Sequence, residues 1–245
     1  RAPLNALLAS RQLTNQIEFV LLSMDLPYRV TEQTGATDTS GINSTTAALF
    51  YGFKPDGCNL PNCPAGIVSC NLPNPSSNAY AGSETIFRQT PPISASSNSW
   101  LVMMLTFSNL AKAKAIVDLG VASDSSYPTQ TTYLAKSYDL FRNVRYVEFD
   151  DAIFNTRLYG GYSLNSTNTY TSANLPILLG FQNGVSSYNL YQTAFVPGAM
   201  VDNLTSYGGL LFETSGHTGV MDFLNAGATA SYGTVVEPCN YLEKF

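Results

Sequence analysis

The chain has 245 residues, a net charge of -5, a pI near 4.8 and only 12% charged residues, against roughly a quarter in an average globular protein. Without clustered Lys or Arg, the counterion release that drives nucleic-acid binding is missing. No apolar run approaches the roughly 20 residues that a membrane-spanning helix needs. Nucleic-acid binding and a transmembrane segment are therefore not expected, and the surface must be finished with Ser, Thr, Asn, Gln and Tyr.

Leu4, Leu7 and Leu8, with polar residues between them, predict an opening helix. Residues 17–23 form a continuous apolar run suited to a strand buried on both faces, with Asp25 just past its end. Residues 31–46 read as polar loop, and 47–53 as a short helix. From 54 to 98 nothing is periodic. A loop of that length inside a compact domain needs a function or a staple.

Alternation resumes at 100–107, a predicted strand. Asn109 then caps a helix with Leu110, Ala113 and Val117 on its apolar side, Lys112, Lys114 and Asp118 outward, and Gly120 as its stop. Residues 131–135, 144–149, 177–181, 209–212 and 228–236 follow as predicted strands, and 220–226 as a short amphipathic helix. The stretch 155–174, rich in Gly, Ser, Thr, Asn and Tyr, reads as a surface excursion. Strands alternating with helices imply βαβ units. The expectation is one α/β domain over 1–245, built on a mostly parallel sheet with helices on both faces, with excursions at about 54–98 and 155–174.

Four cysteines stand at Cys58, Cys63, Cys70 and Cys239. An even count, with three of them in a segment too polar to make its own core, predicts two disulfides in an oxidising compartment, and three connectivities remain open. Zinc fits less well, because the C-x2-C spacing is absent and the chain has one histidine. Acceptor sequons at Asn43, Asn165 and Asn203 agree with an exported glycoprotein, although a chain rich in Asn, Ser and Thr also produces them by chance. Arg1 leads straight into the helical pattern, so an export signal is expected to have been removed upstream.

Ligands of an open parallel sheet gather beyond the carboxyl ends of its strands. That rule selects Asp25; Glu148, Asp150 and Asp151; Gln182 and Asn183; Thr214, Ser215 and His217; and Glu237 and Cys239. If the last two turns share an edge, His217 and Cys239 form a thiolate–base dyad, with Asp25 or Glu237 orienting the imidazole. Against that, a histidine in a Ser-Gly turn serves equally as a helix cap, and a disulfide-bonded Cys239 is no nucleophile. Glu148, Asp150 and Asp151 are a candidate calcium site, or else a solvated strand end with Asp150 or Asp151 capping the next helix. No phosphate-binding glycine motif is present, so no nucleotide cofactor is expected.

From about residue 100 onward the chain resembles a bacterial family of exported proteins without an established activity. The likeness rests on Ala115-Ile116-Val117-Asp118, Leu178-Leu179-Gly180-Phe181, Phe195-Val196-Pro197-Gly198-Ala199, and the stretches 202–209, 224–240 and 243–245. Residues 17–30 are similar to that family's earlier strand and turn. The cysteine segment is not part of the likeness.

More distantly, the C-terminal part resembles the caspase and gingipain group of cysteine peptidases, which implies a Rossmann-like three-layer sandwich. In one register Ser215-Gly216-His217 takes the histidine turn and Cys239 the nucleophile position. In the other, 226–234 matches the strand after the nucleophile, the histidine position falls near Gln182-Asn183 and the cysteine position at Thr214-Ser215. Both catalytic positions are then empty, and this register matches better. The resemblance implies a secreted or surface-displayed domain without peptidase activity, and the abundant Tyr and Asn, few charges, long excursions and cysteines lead to the expectation of an interaction or structural protein whose partners are other proteins, copies of itself or a cell envelope. The alternatives are a Cys-His hydrolase using His217 and Cys239, and a calcium-dependent adhesin.

Overall fold

The computed structural model describes residues 2–13, 16, 19–31, 39–41, 101–158, 163–167, 175 and 177–235. The chain divides into two compact units, Arg1–Thr106 with Glu243–Phe245, and Phe107–Leu242.

In the first unit α1 spans Ala2–Ser10, where the leucine spacing places it, followed by β1 (Phe19–Leu22), β2 (Arg29–Thr31), β3 (Thr39–Gly41) and β4 (Leu101–Met104). β1 and β4 pair in parallel with Phe19 opposite Leu101, and Leu105 N–H prolongs the ladder to Leu22 O at 2.9 Å. Parallel pairing makes the long intervening segment a crossover rather than a hairpin. β2 and β3 pair antiparallel. The predicted helix at 47–53 and the excursion at 54–98, with Cys58, Cys63, Cys70 and Asn43, lie outside the described residues.

The second unit is built on β5 (Thr131–Lys136), β6 (Ser163–Thr167), β7 (Leu178–Asn183), β8 (Phe195–Asn203) and β9 (Ala230–Tyr232). They form a five-stranded sheet in the order β6-β5-β7-β8-β9, and each neighbouring pair is parallel. The α/β class with a mostly parallel sheet is therefore the observed one. Strand order reverses between β5 and β7, which makes the crevice between their carboxyl ends the topological switch point.

Register aligns Tyr133, Phe181, Val201 and Ser231 across the sheet, so these side chains share one face. On that face Phe181 and Val201 join Ala135, Leu178, Val185, Tyr188, Ala228 and Phe223 in the core. Phe223 belongs to α4 (Val220–Asn225), whose start is fixed by Gly219 N–H donating to Asp222 Oδ2 at 2.8 Å. Helix α2 (Leu110–Ser123) lies beside it, linked by Lys112 Nζ to Asn225 Oδ1 at 2.9 Å. The opposite face carries a 3-10 turn, Val144–Glu148, leading into α3 (Phe149–Leu158): Lys136 Nζ stands 3.9 Å from the centre of the Tyr146 ring.

Four expectations are corrected. Asn109 caps α2 through Lys112 N–H at 3.0 Å as read, but the helix runs past Gly120 to Ser123. Ala113 is its buried residue, whereas Leu110 and Val117 are 58% and 46% exposed. At the end of the helix Ser123 packs closely on β8, where a Cβ on Gly198 would stand 2.7 Å from Ser123 Cβ. Second, 144–149 is helical rather than extended. Its buried positions, Arg145 and Phe149, are four apart, a helical spacing disguised by an arginine.

Third, the stretch 155–174 holds the end of α3 and the strand β6. Fourth, 209–212 is not a strand. Gly209 N–H donates to Thr234 O at 2.8 Å, and a Cβ there would come within 2.4 Å of Gly233 O, so a turn packs backbone to backbone. The strand in that neighbourhood is β8, hidden in the sequence by Pro197 and Gly198. Register jumps from Leu178 opposite Phe195 to Gly180 opposite Met200, so both residues sit in a bulge, with Gly198 at φ 87°.

Phe223, 1% exposed, is the single side chain by which the short α4 enters the core. Truncation to Ala is expected to lower unfolding free energy by about 3–5 kcal/mol, while Val121→Ala, on the exposed side of α2, stays within about 0.5 kcal/mol of wild type. Urea midpoints of the two variants check the contrast.

Candidate functional site

The carboxyl edge of the sheet in the second unit is closed by three segments that follow β5, β7 and β8. After β5 the turn 137–143 is built around Asp139. Its Oδ1 accepts from the N–H of Phe141 and of Arg142, both at 3.1 Å, and its other oxygen pairs with the Arg142 guanidinium. Partial burial works to raise the Asp139 pKa, but the hydrogen bonds and charge of Arg142, with the Phe141 N–H, outweigh it and hold the carboxyl below its ordinary value. Asn143 closes the turn by accepting from Ser137 N–H at 3.1 Å.

After β7 the chain passes through Asn183 and Gly184. A Cβ at 184 would stand 1.9 Å from Arg142 O, so the turn and the end of β7 fit together only through a glycine. After β8, Asn203 ties three segments: its Oδ1 accepts from Val185 N–H at 3.1 Å, and its Nδ2 donates to Val185 O at 3.1 Å and Thr218 O at 3.0 Å.

Arg145 lies beside the switch point, at the neighbouring ends of β7 and β8. Its residue is 7% exposed, its Nη2 donates to Asn183 O at 2.7 Å, and its Nη1 pairs with Asp202. A guanidinium of the chain itself thus bridges the ends of β7 and β8, while at the switch point the turn after β5 packs on Gly184. Arg142 extends the network, with Nε donating to Thr205 Oγ1 at 3.2 Å, and Thr234 Oγ1 donates to Thr205 O at 3.0 Å.

His217 meets the same cluster from the loop before α4. Its Nδ1 stands 2.7 Å from Ser206 O and 3.1 Å from Thr205 Oγ1. A carbonyl oxygen only accepts, so Nδ1 carries the hydrogen, and Nε2 has no hydrogen-bond partner among the described residues. This is the arrangement of a positioned base, and equally of a brace that joins two loops. Ser215 Oγ accepts from His217 N–H at 3.1 Å, so the Ser-Gly turn is held by its own side chain.

The sequence-selected residues are only partly brought together. His217 reaches the carboxyl edge as expected, and the Ser206 carbonyl orients its Nδ1. Asp25 lies in the first unit, in the turn after β1 at φ 75°. Glu237 and Cys239 lie outside the described residues. Asn183 is buried at the end of β7 with Gln182 beside it, and Thr214 and Ser215 precede His217.

Glu148 ends the 3-10 turn while Asp150 and Asp151 fill the first turn of α3, all exposed. There the unpaired N–H groups of the helix start favour carboxylates. Among the described residues no three His, Cys, Asp or Glu side chains converge on a cation site. Asn165 falls within β6. Asn203, 3% exposed with both amide hydrogens committed to carbonyls, leaves no room for a glycan.

Sequence reasoning missed Asp139, Arg142, Arg145 and Asp202. A signal was present: in a chain with 12 Lys and Arg, two arginines three apart just beyond a strand are conspicuous. Comparison of the chain with protein-family models, curated proteins and solved structures finds no match. Among the described residues no helix is long and apolar enough to cross a membrane.

Removing Arg145 leaves the Asp202 carboxylate without its charge partner, so Arg145→Ala is expected to cost about 3–5 kcal/mol. Asp139, with its folded pKa depressed, contributes stability that is complete above the ordinary carboxylate value and lost as pH falls through the folded value. The stability gap between wild type and Asp139→Asn is therefore expected to be constant near neutrality and to close on acidification, read from urea midpoints along the pH series.

Proposed function

We propose that this chain is an exported, surface-associated α/β protein of caspase-like architecture that acts by binding proteins, copies of itself among them, and carries no peptidase chemistry. The observation that carries the reading is Arg145. Beside the strand ends where a catalytic α/β fold would receive substrate, a buried guanidinium bridges β7 and β8, and the turn 137–143 packs against Gly184 at the end of β7. A fold that seals this crevice with its own residues has its outer surface left for function. That surface is short of charge and long in aromatics: Tyr127 is 85%, Tyr138 75% and Phe141 75% exposed. Low charge reduces the repulsion between copies, and aromatic side chains give contact area at little entropic cost. Disulfides among Cys58, Cys63, Cys70 and Cys239 belong to the same reading, as they suit an oxidising compartment.

One observation favours a second reading, a Cys-His hydrolase. The tautomer of His217 is fixed by the Ser206 carbonyl, which leaves Nε2 as an acceptor of the kind a cysteine base needs.

An alkylating probe applied without reductant separates the two. Intact mass is expected to show no labelled cysteine in the wild type. Labelling at Cys239 that is lost in His217→Ala would overturn the non-catalytic reading in favour of the hydrolase.

A further inference from the structure

We draw no further inference here: the strongest candidate, the exposed apolar patch that Leu140 and Phe141 form on the turn after β5 at the carboxyl edge of the sheet, carries nothing, because nothing in the structure shows what covers it.

Discussion

A buried guanidinium between two strand ends is the constraint on which the second unit depends. Burying a cation is costly unless a counter-charge and hydrogen-bond acceptors meet it. For Arg145 these come from Asp202 on β8 and the Asn183 carbonyl at the end of β7. The cation therefore requires the ends of these neighbouring strands to sit at one level, and it draws the 3-10 turn that carries it onto the sheet. The same arrangement forces Gly184, because the turn passes so close to β7 that any side chain there would collide with Arg142 O. One ionic contact thus ties the ends of β7 and β8 to the turn that leads into α3.

A second closure uses almost no side chains. Gly208, Gly209, Gly219 and Gly233 bring the loop after β8, the start of α4 and the end of β9 together at backbone distance, where each added Cβ except that of Gly208 would fall below 3 Å of a neighbouring main chain. Ladder-like bonds replace the missing side chains, Gly209 N–H to Thr234 O and Val220 N–H to Gly208 O, both at 2.8 Å. His217 and Asn203 fasten the outside of this glycine seam to the rest of the edge. The imidazole is therefore as much a part of the closure as a chemical group, and its orientation by a carbonyl follows from the loop packing.

This division explains what was legible in the sequence. Elements built on apolar periodicity were readable: α1, the Asn109 cap, β5 and β7 all fall where spacing puts them. Their alternation was enough for the α/β class. Elements whose burial depends on polar or absent side chains were not. The 3-10 turn and α3 bury an arginine at the position where a period count expects an apolar residue. β8 crosses the sheet through a proline and a glycine that argue against a strand until the bulge is known. The 209–212 run looks extended by composition, but its glycines answer to a distant backbone. At the edge, His217 was found because a lone histidine is conspicuous, whereas the residues that define its surroundings came from three separate loops and gave no local pattern.

Sealing one end of the sheet also bears on what the rest of the surface can do. In most open parallel sheets the loops beyond the carboxyl ends are freed from packing so that they can receive a ligand. Here they are consumed by internal hydrogen bonds, and the side chains left pointing outward from turn 137–143 are apolar because its polar groups are already spent on the backbone. Leu140 and Phe141 are thus exposed as a consequence of Asp139 and Asn143 being occupied inward. The residues that close this edge are therefore also the ones that leave Leu140 and Phe141 facing outward.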